Sequence, residues 1–245
     1  PVASQPFGMV GGAVGFLRDA DVRGIEGLSD KIAALGPLAV TLGRGGLNAS
    51  IAAVRADSGV WLALRDRTEP VRVDARSNLV DPGLDPLGYA WTAQSTDSAS
   101  LTATDAAGTA HALPTPYLDG SIRSIDVSRD GARVLVTTQA GAAVSAWIIG
   151  VVRDGAGVPV GLGEPLEYVL AATDVRDATW VDGSSFAVLT GDGTESRVDL
   201  YRIGGMRERL GSIEGGVQLA GANLADGIRV RDADGALWRR TSTGG

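Results

Sequence analysis

A chain of 245 residues, 44% of them hydrophobic, carries enough apolar side chain for one sizeable core, and all-β domains of about 200–250 residues commonly form single units. Its 35 glycines and 10 prolines describe a turn-rich protein, and the absence of cysteine excludes disulfides and cysteine-based zinc sites. A formal net charge of −7, with Lys31 the only lysine among 22 basic residues, is the wrong field for a nucleic-acid binder, which needs a basic face for phosphates.

In chain order, residues 1–8 (PVASQPFG) read as a linker left from an upstream region, and residues 9–245 as one domain. A hairpin is expected next, from 13–17 and 22–25 around the Asp19-Ala-Asp21 turn. Residues 28–35 have helical character, with Ser29 placed to cap them and Gly36-Pro37 to stop them. From Leu38 onward the chain alternates short runs of β-formers with Asp/Gly-rich turns. The first unit has runs at 38–42, 49–54, 60–64 and 71–73; the second and weakest at 79–80, 88–92, 99–103 and 109–113. The third and clearest has runs at 121–127, 132–138, 143–152 and 158–162, its first two joined by Ser128-Arg-Asp-Gly131. The fourth runs 175–180, 185–190, 196–203 and 207–213, and the fifth 217–221, 228–231 and 236–239.

The starts of these units lie 41, 42, 54 and 42 residues apart, the long interval being assigned to the Gly-rich stretch 153–157. A period of about 40–50 residues with four strands per unit predicts an all-β fold, a five-bladed β-propeller of four-stranded antiparallel sheets. Trp61, Trp91, Trp147, Trp180 and Trp238 fall one per unit, as expected of large aromatics wedged between neighbouring sheets. The last unit shows three strands, so the N-terminal hairpin is expected to close the ring with it and remove an exposed edge. Six blades is the alternative, if the second unit or the N-terminal hairpin is parsed differently.

The motifs assemble no catalytic set. His111, the only histidine, alternates with small residues on an expected outer strand, and no Gly-x-Ser-x-Gly elbow accompanies it. Asp232-Ala-Asp-Gly235, Asp19-Ala-Asp21 and Gly191-Asp-Gly193 lack the further ligands of a calcium loop and read as Asp-Gly hairpin turns with positive φ at both residues. Gly155-Ala-Gly157 and Gly161-Leu-Gly163 precede no helix that would hold a phosphate. The nearly apolar stretch 140–152 is shorter than the roughly 20 residues a membrane-spanning helix needs. Glycoside hydrolysis needs only two carboxylates, and Asp85, Asp126 and Asp177 on or near inner strands are the candidates for it.

The segments 7–17 and 22–28, the stretch Ser121-Ile-Arg-Ser-Ile-Asp-Val-Ser-Arg-Asp-Gly131 and the Ala236-Leu-Trp-Arg239 end resemble the C-terminal β-propeller domain of the actinobacterial LpqB lipoproteins. The resemblance implies an extracytoplasmic domain of a cell-envelope lipoprotein, tethered to the membrane only through an upstream lipidated segment. It implies as partner the extracellular region of a two-component sensor histidine kinase, and a binding or regulatory role without catalysis. The expectation is therefore a monomeric, non-enzymatic, protein-binding propeller with no cofactor, no metal and no nucleic-acid partner, its partner-binding residues unassigned. Glycan binding, or glycoside hydrolysis by channel carboxylates, is the alternative.

Overall fold

The computed structural model describes residues 5–7, 15–17, 27–42, 50–96, 100–115, 118–172, 174–192, 194–220 and 228–240. Two short strands, β1 (Gln5–Phe7) and β2 (Gly15–Leu17), precede a single helical turn and a half, α1 (Ser29–Ala34). Five antiparallel sheets follow, each built from strands consecutive in the chain. Blade 1 holds β3 (Ala39–Leu42), β4 (Ile51–Ala56), β5 (Gly59–Leu64) and β6 (Val71–Asp74). Blade 2 holds β7 (Gly83–Leu84), β8 (Ala90–Thr92), β9 (Ser100–Thr104) and β10 (Ala110–Pro114), and blade 3 holds β11 (Ser121–Val127), β12 (Arg133–Ala140), β13 (Ala143–Arg153), β14 (Pro159–Leu162) and β15 (Leu166–Ala172). Blade 4 comprises β16 (Val175–Trp180), β17 (Ser185–Gly191), β18 (Glu195–Arg202) and β19 (Arg207–Glu214), and blade 5 comprises β20 (Gly216–Ala220), β21 (Ile228–Asp232) and β22 (Leu237–Arg240). This is the five-bladed propeller the repeat predicts.

Each blade is covered on both faces, so its middle strands read as nearly continuous apolar runs and not as strict alternation. Ser185 to Thr190 of β17 are all buried, as are Val134 to Thr138 of β12. The core lies in the seams. Trp91, Ile122 and Val134 share the seam of blades 2 and 3; Leu135, Trp180 and Phe186 share that of blades 3 and 4; Leu200, Leu219 and Val230 share that of blades 4 and 5. Phe186 stacks on Tyr201 at 5.2 Å between ring centroids and meets Trp180 edge-on at 5.8 Å, a geometry that adds to the area it buries. Trp91 and Trp180 are thus wedges as expected, whereas Trp238 is 43% exposed and donates its indole N–H to Asp232.

Several local expectations are corrected. The first strand of blade 2 is split: Leu79 bridges Gln94, Val80 bonds Ala93, and pairing resumes at Gly83, because Pro82 between them has no N–H to offer the ladder. The 54-residue interval is filled by β15, a strand that sequence reading left unassigned, which pairs the first half of β13 while β14 pairs its end. The N-cap of α1 is Leu28, with Ser29 already the first helical residue. The turn at Asp232–Ala236 is not the two-residue Asp-Gly type, since only Gly235 has positive φ (86°); a carboxylate at the first position accepts the N–H groups of Asp234 and Ala236 instead. At the seam of blades 1 and 5 the N-terminal strands pair with each other, and β1 lies beside β3 and β20. Among the described residues the N-terminal hairpin therefore caps this seam as its own sheet, and blade 5 has three strands. The expected strand 22–25 and the turn at Asp19-Ala-Asp21 lie outside the described residues.

Candidate functional site at the channel mouth

Antiparallel meanders send alternate turns to opposite faces of the disc. The face where β11, β16 and β20 begin also carries residues 57–58, 141–142, 191–192, 194 and 232–236, which join successive strands. On this face the inner strands of blades 3, 4 and 5 share a deviation. Pairing of β11 with β12 skips from Ile122↔Thr138 to Ser124↔Thr137, that of β16 with β17 from Val175↔Thr190 to Asp177↔Leu189, and that of β20 with β21 from Gly216↔Asp232 to Gln218↔Arg231. Each strand thus carries one extra residue at the same place: Arg123, Arg176 and Val217. Such bulges twist a strand and re-aim a side chain, and they gather beside functional sites.

The bulged residues and their successors, Ser124, Asp177 and Gln218, together line a cavity of about 220 Å³ in the mouth of the channel, with Asp81 also in its lining. Arg123 spans the seam to the next blade, its Nη1 donating to the Val175 carbonyl at 3.1 Å and its Nη2 to the Arg176 carbonyl at 2.9 Å. Among the described residues Arg176 donates only through Nε, to the Gly191 carbonyl at 2.9 Å. Gln218 accepts both Nε and Nη2 of Arg231 on its carbonyl oxygen, which leaves its amide NH2 as a donor. A second, open cleft of about 450 Å³ lies on the same face at the end of blade 4, between Asp174, Thr190, Asp192, Glu195, Arg197 and Arg209. Gly191, the acceptor of Arg176, lines it too, so one guanidinium joins the two concavities.

The three carboxylates singled out from sequence part company. Asp85 is not in the channel; it is buried in the turn after β7, where it ion-pairs with Arg153 at 2.5 Å and accepts the indole N–H of Trp91. Asp126 and Asp177 do sit on consecutive inner strands. Burial pushes Asp126 up to about 6, against the stabilising hydrogen bonds its Oδ2 accepts from Trp180 N and Thr179 Oγ1 of the next blade. Burial pushes Asp177 up to about 7, although Leu219 N and Ala178 N donate to it and Arg123 draws it down, while neighbouring Asp126 adds to the rise. Each therefore staples its own inner strand to that of the following blade, as Thr41 does from β3 by donating to the Pro82 carbonyl at 2.7 Å. A glycosidase pair would have one carboxyl aimed at each side of a scissile bond. These two are aimed at backbone.

His111 lies on the outermost strand of blade 2 with its ring edge-on to Tyr89 at 6.0 Å. Among the described residues no group of three or more His, Cys, Asp or Glu side chains is placed to hold a metal ion. The bulged arginines went unnoticed in sequence, yet a signal exists: the buried positions Ile122, Ile125, Val127 and Val175, Ala178, Trp180 share a spacing of three then two. A strict strand would keep two throughout.

No curated protein matches the chain. Among solved structures, the β-propeller domain of Cps50 (Swd1) from Myceliophteria thermophila is 11% identical with a TM-score of 0.57, over 80% of this chain and 67% of that one. The tricorn protease is 10% identical with a TM-score of 0.58 over 84% of this chain and 25% of that one, and the nidogen/laminin complex 12% identical with a TM-score of 0.53 over 76% and 68%. At such identities the likeness is one of fold alone. Residues 16–245 match the family described as the Lipoprotein LpqB beta-propeller domain, and with nearly the whole domain inside that match the chain belongs to this family.

Proposed function

We propose that this domain is a non-catalytic recognition module, extracytoplasmic and carried by an upstream lipid anchor, which binds another envelope protein through the face that bears the channel mouth. The observation that carries the reading is the use made of the channel carboxylates. Each of Asp126 and Asp177 gives its Oδ2 to a backbone N–H group of the next blade, so the two carboxylates brace the ring and are not poised as an acid and base pair. What the same face does offer is a rigid rim with two polar concavities, the arrangement on which binding loops are usually presented. Membership of a lipoprotein propeller family supports the extracytoplasmic setting.

The partner we propose is the extracellular region of a two-component sensor histidine kinase, with the propeller regulating or supporting that kinase at the envelope. A pull-down of the purified domain against that region, repeated with the parent's upstream domain alone, tests this. Capture by the propeller alone supports the reading; capture only by the upstream domain makes the propeller a spacer and ends it. Turnover of an arabinan or a related polysaccharide, abolished by Asp126→Asn, would likewise replace recognition with glycoside hydrolysis.

A further inference from the structure

Arg176 is the one bulged arginine whose guanidinium fork is unspent. Arg123 gives both of its terminal nitrogens to carbonyls across the seam, but neither Nη of Arg176 donates to a protein acceptor among the described residues. Its Nε anchor on Gly191 fixes the plane of the group at the edge of the cavity. A planar pair of N–H donors held in this way matches the two oxygens of a carboxylate.

The surroundings favour the same ligand. Asp81 in the cavity lining is already paired with Arg55 at 2.7 Å, and Asp177 has a backbone N–H on each oxygen. Asp192 in the adjoining cleft acts on Arg176 electrostatically but makes no ion pair with it, so Arg123 and Arg176 still leave the cavity locally cationic within a chain of net charge −7. Gln218 also lines the cavity, and because its oxygen is held by Arg231 its amide NH2 is the group that remains to donate. Among the described residues no aromatic ring lines the cavity, so a sugar would find no face to stack on. At about 220 Å³ the space takes one acidic side chain or chain terminus and not a folded element.

We propose that the channel-mouth cavity is a receptor for a single carboxylate group, clamped by the Nη pair of Arg176 and the amide of Gln218. The proposal deepens the recognition reading above, on which it rests for its occupant, an acidic side chain or terminal carboxylate of the partner protein. The test is an NMR titration of the folded domain with glutarate and with its neutral diamide, and then with a short peptide ending in Glu as the free acid and as the amide. Glutarate should bind with Kd on the order of 1 mM and shift the resonances of Arg176 and Gln218, while the diamide should not. Arg176→Gln should weaken binding about tenfold or more. Gln218→Glu keeps an acceptor for Arg231 and so preserves the local fold while placing a negative charge in the cavity; it should weaken binding as well. Tighter binding of the peptide acid than of glutarate identifies a protein terminus as the source, and equal binding a free small acid. Equal affinities for glutarate and its diamide, or a full-strength interaction in both variants, would overturn the proposal. The kinase pull-down is independent: capture that survives Arg176→Gln sinks the cavity and spares the recognition reading, whereas glutarate binding without capture does the reverse.

Discussion

At the scale of single residues, the carboxylates divide into two groups with opposite pH behaviour. Asp126 and Asp177 hold their protons more tightly in the folded ring than in the unfolded chain, because burial disfavours their charged forms. The stability they contribute is fully present below the unfolded value of 3.8 and is lost as pH rises through about 6 and about 7. Asp74 and Asp232 behave inversely. Burial raises both, but hydrogen bonds from Arg76 and Thr92 to Asp74, and from the Trp238 indole and backbone N–H groups to Asp232, outweigh it and hold them below 3.8. Their contribution is present above that value and is lost in acid. The expected melting temperature is highest near about pH 4 and declines toward pH 8 by the equivalent of a few kcal/mol. Asp177→Asn should flatten the alkaline side of that curve, and a thermal-shift series from pH 4 to 8 on both proteins checks it; a stability that does not fall between pH 5 and pH 8 would show that these two groups ionise freely.

The element that recurs most faithfully is a hairpin turn. Asp85, Asp105, Asp154 and Asp232 each accept, on Oδ1, the backbone N–H groups two and four residues later, and the glycine at the fourth position has φ between 85° and 89°. A side chain at that glycine would be strained in this left-handed region, and so the turns repeat as Asp-x-x-Gly. Context sets what each copy contributes. Asp105 caps an exposed turn, and Asp105→Ala should cost about 1 kcal/mol. Asp85 has a fully buried carboxylate paired with Arg153 from the next blade, so Asp85→Ala leaves that guanidinium uncompensated and should cost about 3–5 kcal/mol. Denaturant melts of the two variants compare them directly. At this scale the units, their turns and most strands were legible, because alternation and Asp/Gly spacing are local signals. The strand β15 was not, since Leu166–Ala172 lies beyond the turn that already completed the unit, and its pairing with β13 is decided by an edge that only the folded blade presents. The bulges at Arg123 and Arg176 were hidden for a related reason: each displaces one residue, and the channel they face exists only once five blades are arranged around it.

For the whole molecule, ring closure and recognition are linked, because a propeller presents a defined rim only if its seams hold. Inner-strand staples bridge the seams of blades 1 and 2, 3 and 4, and 4 and 5, through Thr41, Asp126 and Asp177. The net charge of −7 should steer a basic patch on the partner toward the disc, so association is expected to slow as salt approaches about 0.5 M, which stopped-flow measurement would register. The central claim, that the channel-mouth face is the recognition surface, is tested most directly by hydrogen–deuterium exchange of the domain with and without the sensor kinase's extracellular region. Exchange should slow in residues 118–124, 141–144, 174–177, 191–192, 194–197 and 215–218, which share the mouth. Protection confined to residues 85–89, 105–109, 128–132, 154–158 and 203–206, the turns of the opposite face, would contradict it.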